Sequence, residues 1–94
     1  MHHVDRNEAA LADAVRSSAI EFLRVELKIA NTMLDLAAST TEQETHARRR
    51  AQAIEAFSAV KRYLEAPAVP LLAEDRDSIT AGLHALEERI RAAS

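Results

Sequence analysis

The sequence predicts an all-α fold, an antiparallel up-down-up three-helix bundle with a long first helix, in a single domain over residues 1–94. Three observations carry this reading. Ala, Leu, Glu and Arg abound while Gly numbers 1 and Pro 2, so helix formers dominate and chain breakers are scarce. No segment shows the β-branched alternation that marks a strand. Three stretches instead repeat apolar residues every three or four positions, and the short connections between them make consecutive helices antiparallel neighbours.

The first helix is predicted over 8–38, with Asp5 or Asn7 as its cap after a polar start. From Leu11 to Ala37 its apolar arc covers about 220°, where a surface helix needs little more than about 100°. Leu11, Val15, Phe22, Ile29, Met33 and Leu36 occupy one side of that arc. Ile20, Leu23, Leu27, Ala30, Leu34 and Ala37 occupy the other. Glu21, Arg24, Lys28, Asn31 and Asp35 form the wet stripe. So wide an arc predicts two neighbours, or one neighbour and a second copy of the chain.

Ser39, Thr40 and Thr41 break this helix, and Thr41 with Glu44 has the spacing of a capping box. The second helix is predicted over 42–65, with Ala53, Ile54, Phe57, Val60 and Leu64 as its apolar stripe. Pro67 and Pro70 end it, because each fixes its own φ and restrains the residue before it. The third helix is predicted over 73–92. Glu74, Asp75 and Asp77 crowd its start, where the helix dipole favours carboxylates. Ile79, Leu83, Leu86 and Ile90 make a narrow seam that implies a single partner groove. The second helix is therefore expected on the Phe22–Ile29–Met33 side of the first. The third is expected to be too narrow for the remainder. Ile20, Leu23, Leu27 and Leu34, edged by Arg16, are then left as an interaction surface for a second copy, giving a homo-oligomer such as a dimer, or for a partner helix.

Two charges sit within apolar stripes, Glu26 on the first helix and Arg50 on the second. Folding the hairpin about residues 39–41 sets residue i against roughly residue 80 minus i. Glu26 then lies beside Ile54 and, one turn away, Arg50, and Glu26 and Arg50 are predicted to form a structural ion pair that sets helix register.

Most catalytic and ligand chemistry is missing. Cysteine is absent, which excludes disulfides and thiol catalysis. No Glu-x-x-His or His-Glu-x-x-His motif is present to build a bundle metal site. Glu42 and His46 stand one turn apart, a spacing more often of a surface hydrogen bond than of metal ligands. Gly82 is the only glycine, so no phosphate-cradling or oxyanion loop can form; inside the third helix it suits close approach of another helix. His84 lacks the basic and glycine neighbours of a phosphotransfer histidine. Arg48, Arg49 and Arg50 point about 100° apart on a helix and make no basic patch. Three aromatics and a net charge of -3 give little for nucleic acid to bind. No charge-free run approaches the roughly 18 residues of a membrane span, and no secretory leader is read, so a cytoplasmic chain is expected. The chain is read as no enzyme, with no catalytic residue, cofactor, metal or small-molecule substrate.

Ala53, Phe57 and Val60 step by four and three residues, a pattern that resembles the second helix of a tetratricopeptide repeat. Val60 is larger than that family's usual Ala, Pro67 comes two places late, and the first helix lacks the family's Leu-Gly and Tyr spacing. The resemblance covers about a quarter of the chain and implies a helical protein-binding surface. The whole chain also resembles short all-helical bacterial proteins. The function expected is a non-enzymatic protein–protein interaction or structural module acting through an apolar helix face. The alternative is a small regulator that binds nucleic acid or a signalling partner.

Overall fold

Three antiparallel helices pack against one another: α1 (His2–Ser39), α2 (Gln43–Glu65) and α3 (Ala73–Ala92). The computed structural model describes residues 2–93, with side chains from residue 7 onward. The architecture is the all-α three-helix bundle that the periodicity predicts.

α1 starts earlier than its apolar pattern. Nothing in the polar residues before Leu11 breaks a helix, so the backbone stays helical from His2, and Asn7 lies inside α1 rather than capping it. Asp5 falls outside the residues whose side chains are described. At 1.5 Å per residue its 38 residues measure about 57 Å, which accounts for a molecule 62 Å long and 19 Å wide. The radius of gyration is 16.6 Å, where a compact domain of this length has roughly 12 Å. The excess is the N-terminal end of α1, where residues 7–11 are exposed.

Two groups of buried side chains form the core along the bundle axis. Leu23, Val60, Ile79 and Leu83 meet at one end. Ala30, Leu34, Ala53, Ala56, Leu86 and Ile90 meet at the other. Phe57 and Leu27 touch both. The alanines matter because they let α2 lie close to α1, and the narrow seam of α3 then reaches both helices. Gly82 serves the same purpose: a Cβ there would stand 3.0 Å from Leu27 Cδ1.

The turns use other partners than the capping spacing predicts. Residues 40–42 lie between the helices, and Glu42 is the N-cap of α2 with no side-chain cap bond. The Glu42 amide donates to Thr40 Oγ1 at 3.2 Å. The Thr41–Glu44 box does not form. Because α2 starts at Gln43, it sits further along α1 than the predicted pairing assumes. Glu26 consequently shares a groove with Glu55, Ala59 and Arg62, not with Arg50. Arg50 turns to α3 and donates from Nε to the Ile90 carbonyl at 3.2 Å. The Glu26–Arg50 pair is replaced by this contact.

Candidate association surface

The surface is a stripe on α1 that the bundle leaves outside. Leu11, Val15, Phe22, Val25, Ile29 and Leu36 are all more than a third exposed, and Phe22 retains 47% of its accessible surface. They fall on two adjacent rows. Val15, Phe22, Ile29 and Leu36 recur at every seventh position, as do Leu11, Ser18, Val25 and Thr32. This is the spacing of the two seam rows of a coiled coil. Along its α2 edge the stripe opens into the groove where Met33 and Glu26 face Gln52 and Ala59. Single exposed apolar residues are ordinary on a protein surface; a continuous row of them marks an interaction site.

The four residues expected on this surface lie elsewhere. Leu23 is fully buried and Leu34 is 3% exposed. Ile20 and Leu27 are partly buried against the same core. α2 and α3 together cover this side, so it is core and not an interface. The side expected to receive α2 meets it along one edge only, where Phe22, Ile29 and Met33 line a groove against Gln52, Ala56 and Ala59, and its outer part stays exposed.

The wet stripe explains the exchange. The Arg24 guanidinium reaches Asp75 of α3 at 3.6 Å. Arg89 of α3 donates to Asn31 Oδ1 and to Asp35 Oδ1, both at 2.7 Å. Arg16 donates from Nε to the Pro70 carbonyl at 3.1 Å. The charged edges of α3 thus lie over α1 residues that amphipathicity alone assigns to water. Each pair is surface-exposed and worth on the order of 0–1 kcal/mol, enough to select a side without carrying the fold.

His46 fastens the opposite end of the bundle. Its Nδ1 donates to the Ala37 carbonyl and its Nε2 to the Ala93 carbonyl, each at 2.9 Å. These carbonyls belong to the C-terminal ends of α1 and α3, where backbone acceptors lack helical partners and the dipole attracts positive charge. A neutral imidazole has one N–H, so only the imidazolium makes both bonds. The bond to Ala37 and then that to Ala93 raise the His46 pKa above its ordinary value, while desolvation and Arg50 oppose the rise. A raised folded-state pKa contributes stability that is complete below the unfolded value near 6.5 and is lost as pH rises through the folded value. The thermal midpoint of the chain is therefore expected to fall as pH is raised from 6 to 8. In His46→Ala that part of the pH dependence disappears. Equal slopes in the two proteins by circular dichroism would refute the clamp.

Among the described residues no group of three or more His, Asp or Glu is placed to hold a metal, and no helix is long and apolar enough to cross a membrane. His84 is exposed on α3. Arg48 is exposed, Arg49 donates to Gln52 and Arg50 to the Ile90 carbonyl, so the three arginines diverge. No family model, curated protein or solved structure matches the chain.

Proposed function

We propose that the chain is a non-enzymatic module for protein–protein association that works through the outer face of α1. The observation that supports this reading is the exposed apolar stripe at seven-residue spacing, running from Leu11 to Leu36. Such a stripe suits a helix with a seam of its own, because alternating three- and four-residue steps let side chains of one helix enter spaces between those of the other. The expected partner is thus helical and apolar along one face.

The absence of cysteine allows a direct test. Val25→Cys sets one thiol in the middle of the face, and Arg48→Cys sets one on an exposed surface away from it. Maleimide alkylation of each is timed in cells that make the protein at its natural level and in dilute purified protein. The reading expects the Val25→Cys thiol to react several-fold more slowly in cells, relative to the Arg48→Cys control. Equal relative rates in the two settings would overturn it.

A further inference from the structure

We infer that the occupant of this face is a second copy of the chain, bound through α1 against α1 in antiparallel orientation. The inference rests on the association reading above and adds the partner, its direction and its register. In this register Leu11 faces Leu36 of the second copy, Val15 faces Thr32, Ser18 faces Ile29 and Phe22 faces Val25. Because the contact is two-fold symmetric, each pairing occurs twice.

Three observations select this arrangement. The first is shape. The Ser18–Ile29 and Phe22–Val25 layers each set a smaller side chain against a larger one, the Val15–Thr32 layers pair side chains of equal size, and the Leu11–Leu36 layers close the two ends. A parallel, in-register pair would stack Phe22 on Phe22 and Ser18 on Ser18, leaving bulk beside a gap. The second is charge. Glu21 and Lys28 flank the row of Ser18 and Val25, and neither makes an ion pair within the chain among the described residues. In the antiparallel register Glu21 of each copy lies beside Lys28 of the other. The parallel register would set Glu21 beside Glu26 of the second copy, a like-charge contact. The third is the overhang. Residues 7–11 extend past the bundle with no cover. Antiparallel pairing lays that end of each copy along the well-supported C-terminal half of the other α1, whereas parallel pairing would leave two overhangs with only each other.

The size also fits. The seam from Leu11 to Leu36 is about 39 Å long. At the roughly 10–12 Å width of one helix its footprint is about 400 Å² per partner, a small interface that suits a dimer forming with rising concentration. The flanking charges are of both signs, so the face lacks the cationic border of a helix made for anionic lipid.

Light scattering during size exclusion, followed across concentration, should give a mass approaching twice 10.3 kDa. At low salt, Glu21→Lys and Lys28→Glu are each expected to weaken the dimer about tenfold, since each turns two attractive contacts into two repulsive ones. The double exchange should return affinity to within about twofold of the original. These residues are exposed, and unchanged helicity by circular dichroism confirms that each variant folds. As a second readout, an equimolar mixture of Leu11→Cys and Leu36→Cys chains is oxidised. Mixed disulfides are expected; disulfides only between identical chains would overturn the orientation. Tighter association of Glu21→Lys, or no response to any charge change, would likewise overturn it. A constant mass of 10.3 kDa at every concentration would remove the second copy altogether. Protection of the Val25→Cys thiol in cells would in that case still uphold association with a different helix, so the two readings fail separately.

Discussion

Replacing Leu23 by Ala is expected to lower the stability of the fold by about 3 kcal/mol, within the range for a buried leucine reduced to a methyl group. Leu23 is fully buried beside Val60 of α2 and Ile79 and Leu83 of α3. The loss combines the transfer energy of the missing carbons with a void that the straight, close-packed helices cannot collapse into. A chain of 94 residues holds roughly 5–14 kcal/mol in total, so the variant forfeits a large share. Its neighbour Phe22 supplies the contrast, because it keeps 47% of its surface in water. Phe22→Ala is expected to cost the isolated bundle under about 1 kcal/mol, since truncations of exposed side chains remove few contacts. Urea denaturation monitored by circular dichroism at a dilution that holds the chain monomeric separates the two. Leu23→Ala should move the midpoint strongly at an unchanged slope, and Phe22→Ala should barely move it. The reverse order would return Leu23 to the surface.

Leu23 and Phe22 mark where sequence reasoning stops. The three helices are legible because their period is local: Ile79, Leu83, Leu86 and Ile90 announce one buried seam without reference to any partner. The side of α1 that becomes core is a different kind of fact. Its two apolar faces are nearly equal in composition, and the choice between them depends on groups far away in the chain. Small residues on α2, Ala53 and Ala56, let that helix settle close to Ala30 and Leu34. Arg89 and Asp75 on α3 find partners on the wet stripe. Neither preference is visible along α1 itself. The seven-residue recurrence of Val15, Phe22, Ile29 and Leu36 is the available signal for the outer face, since a strict seven-residue repeat suits a paired rod better than a position inside a three-helix core. The Glu26–Arg50 pairing fails for a smaller reason: the break lies at residues 40–42, one position later than expected, which sets Glu26 beside Glu55 and Ala59 and leaves Arg50 to the Ile90 carbonyl of α3. The sequence sets His46 one turn from Glu42, but its ring bonds the Ala37 and Ala93 carbonyls instead, and backbone partners at the ends of two other elements leave no mark in the sequence.

Replacing Ala53 by Leu tests the close seating of α2, with an expected loss of about 3 kcal/mol, at the upper end for overpacking a filled core. Ala53 has no accessible surface and sits among Ala30, Leu34 and Leu86. Leucine is nearly as good a helix former as alanine, so intrinsic propensity contributes only a few tenths of a kcal/mol and the penalty is one of space. The added carbons have to push α2 away from α1 or bend side chains out of their rotamers. For a domain of this size the thermal midpoint should drop by roughly 10–20 °C. Ala51→Leu, two residues away on the exposed side of α2, should leave it nearly unchanged. The decisive variant joins Ala53→Leu with Leu34→Ala, which returns the volume that the first change adds. If the two sites share one space, the double variant is more stable than the sum of the single losses by about 1–3 kcal/mol, the usual coupling for residues in contact. Strict additivity would mean that α2 is not seated on α1 through its alanines, and small residues on α2 would then no longer explain which side of α1 is covered.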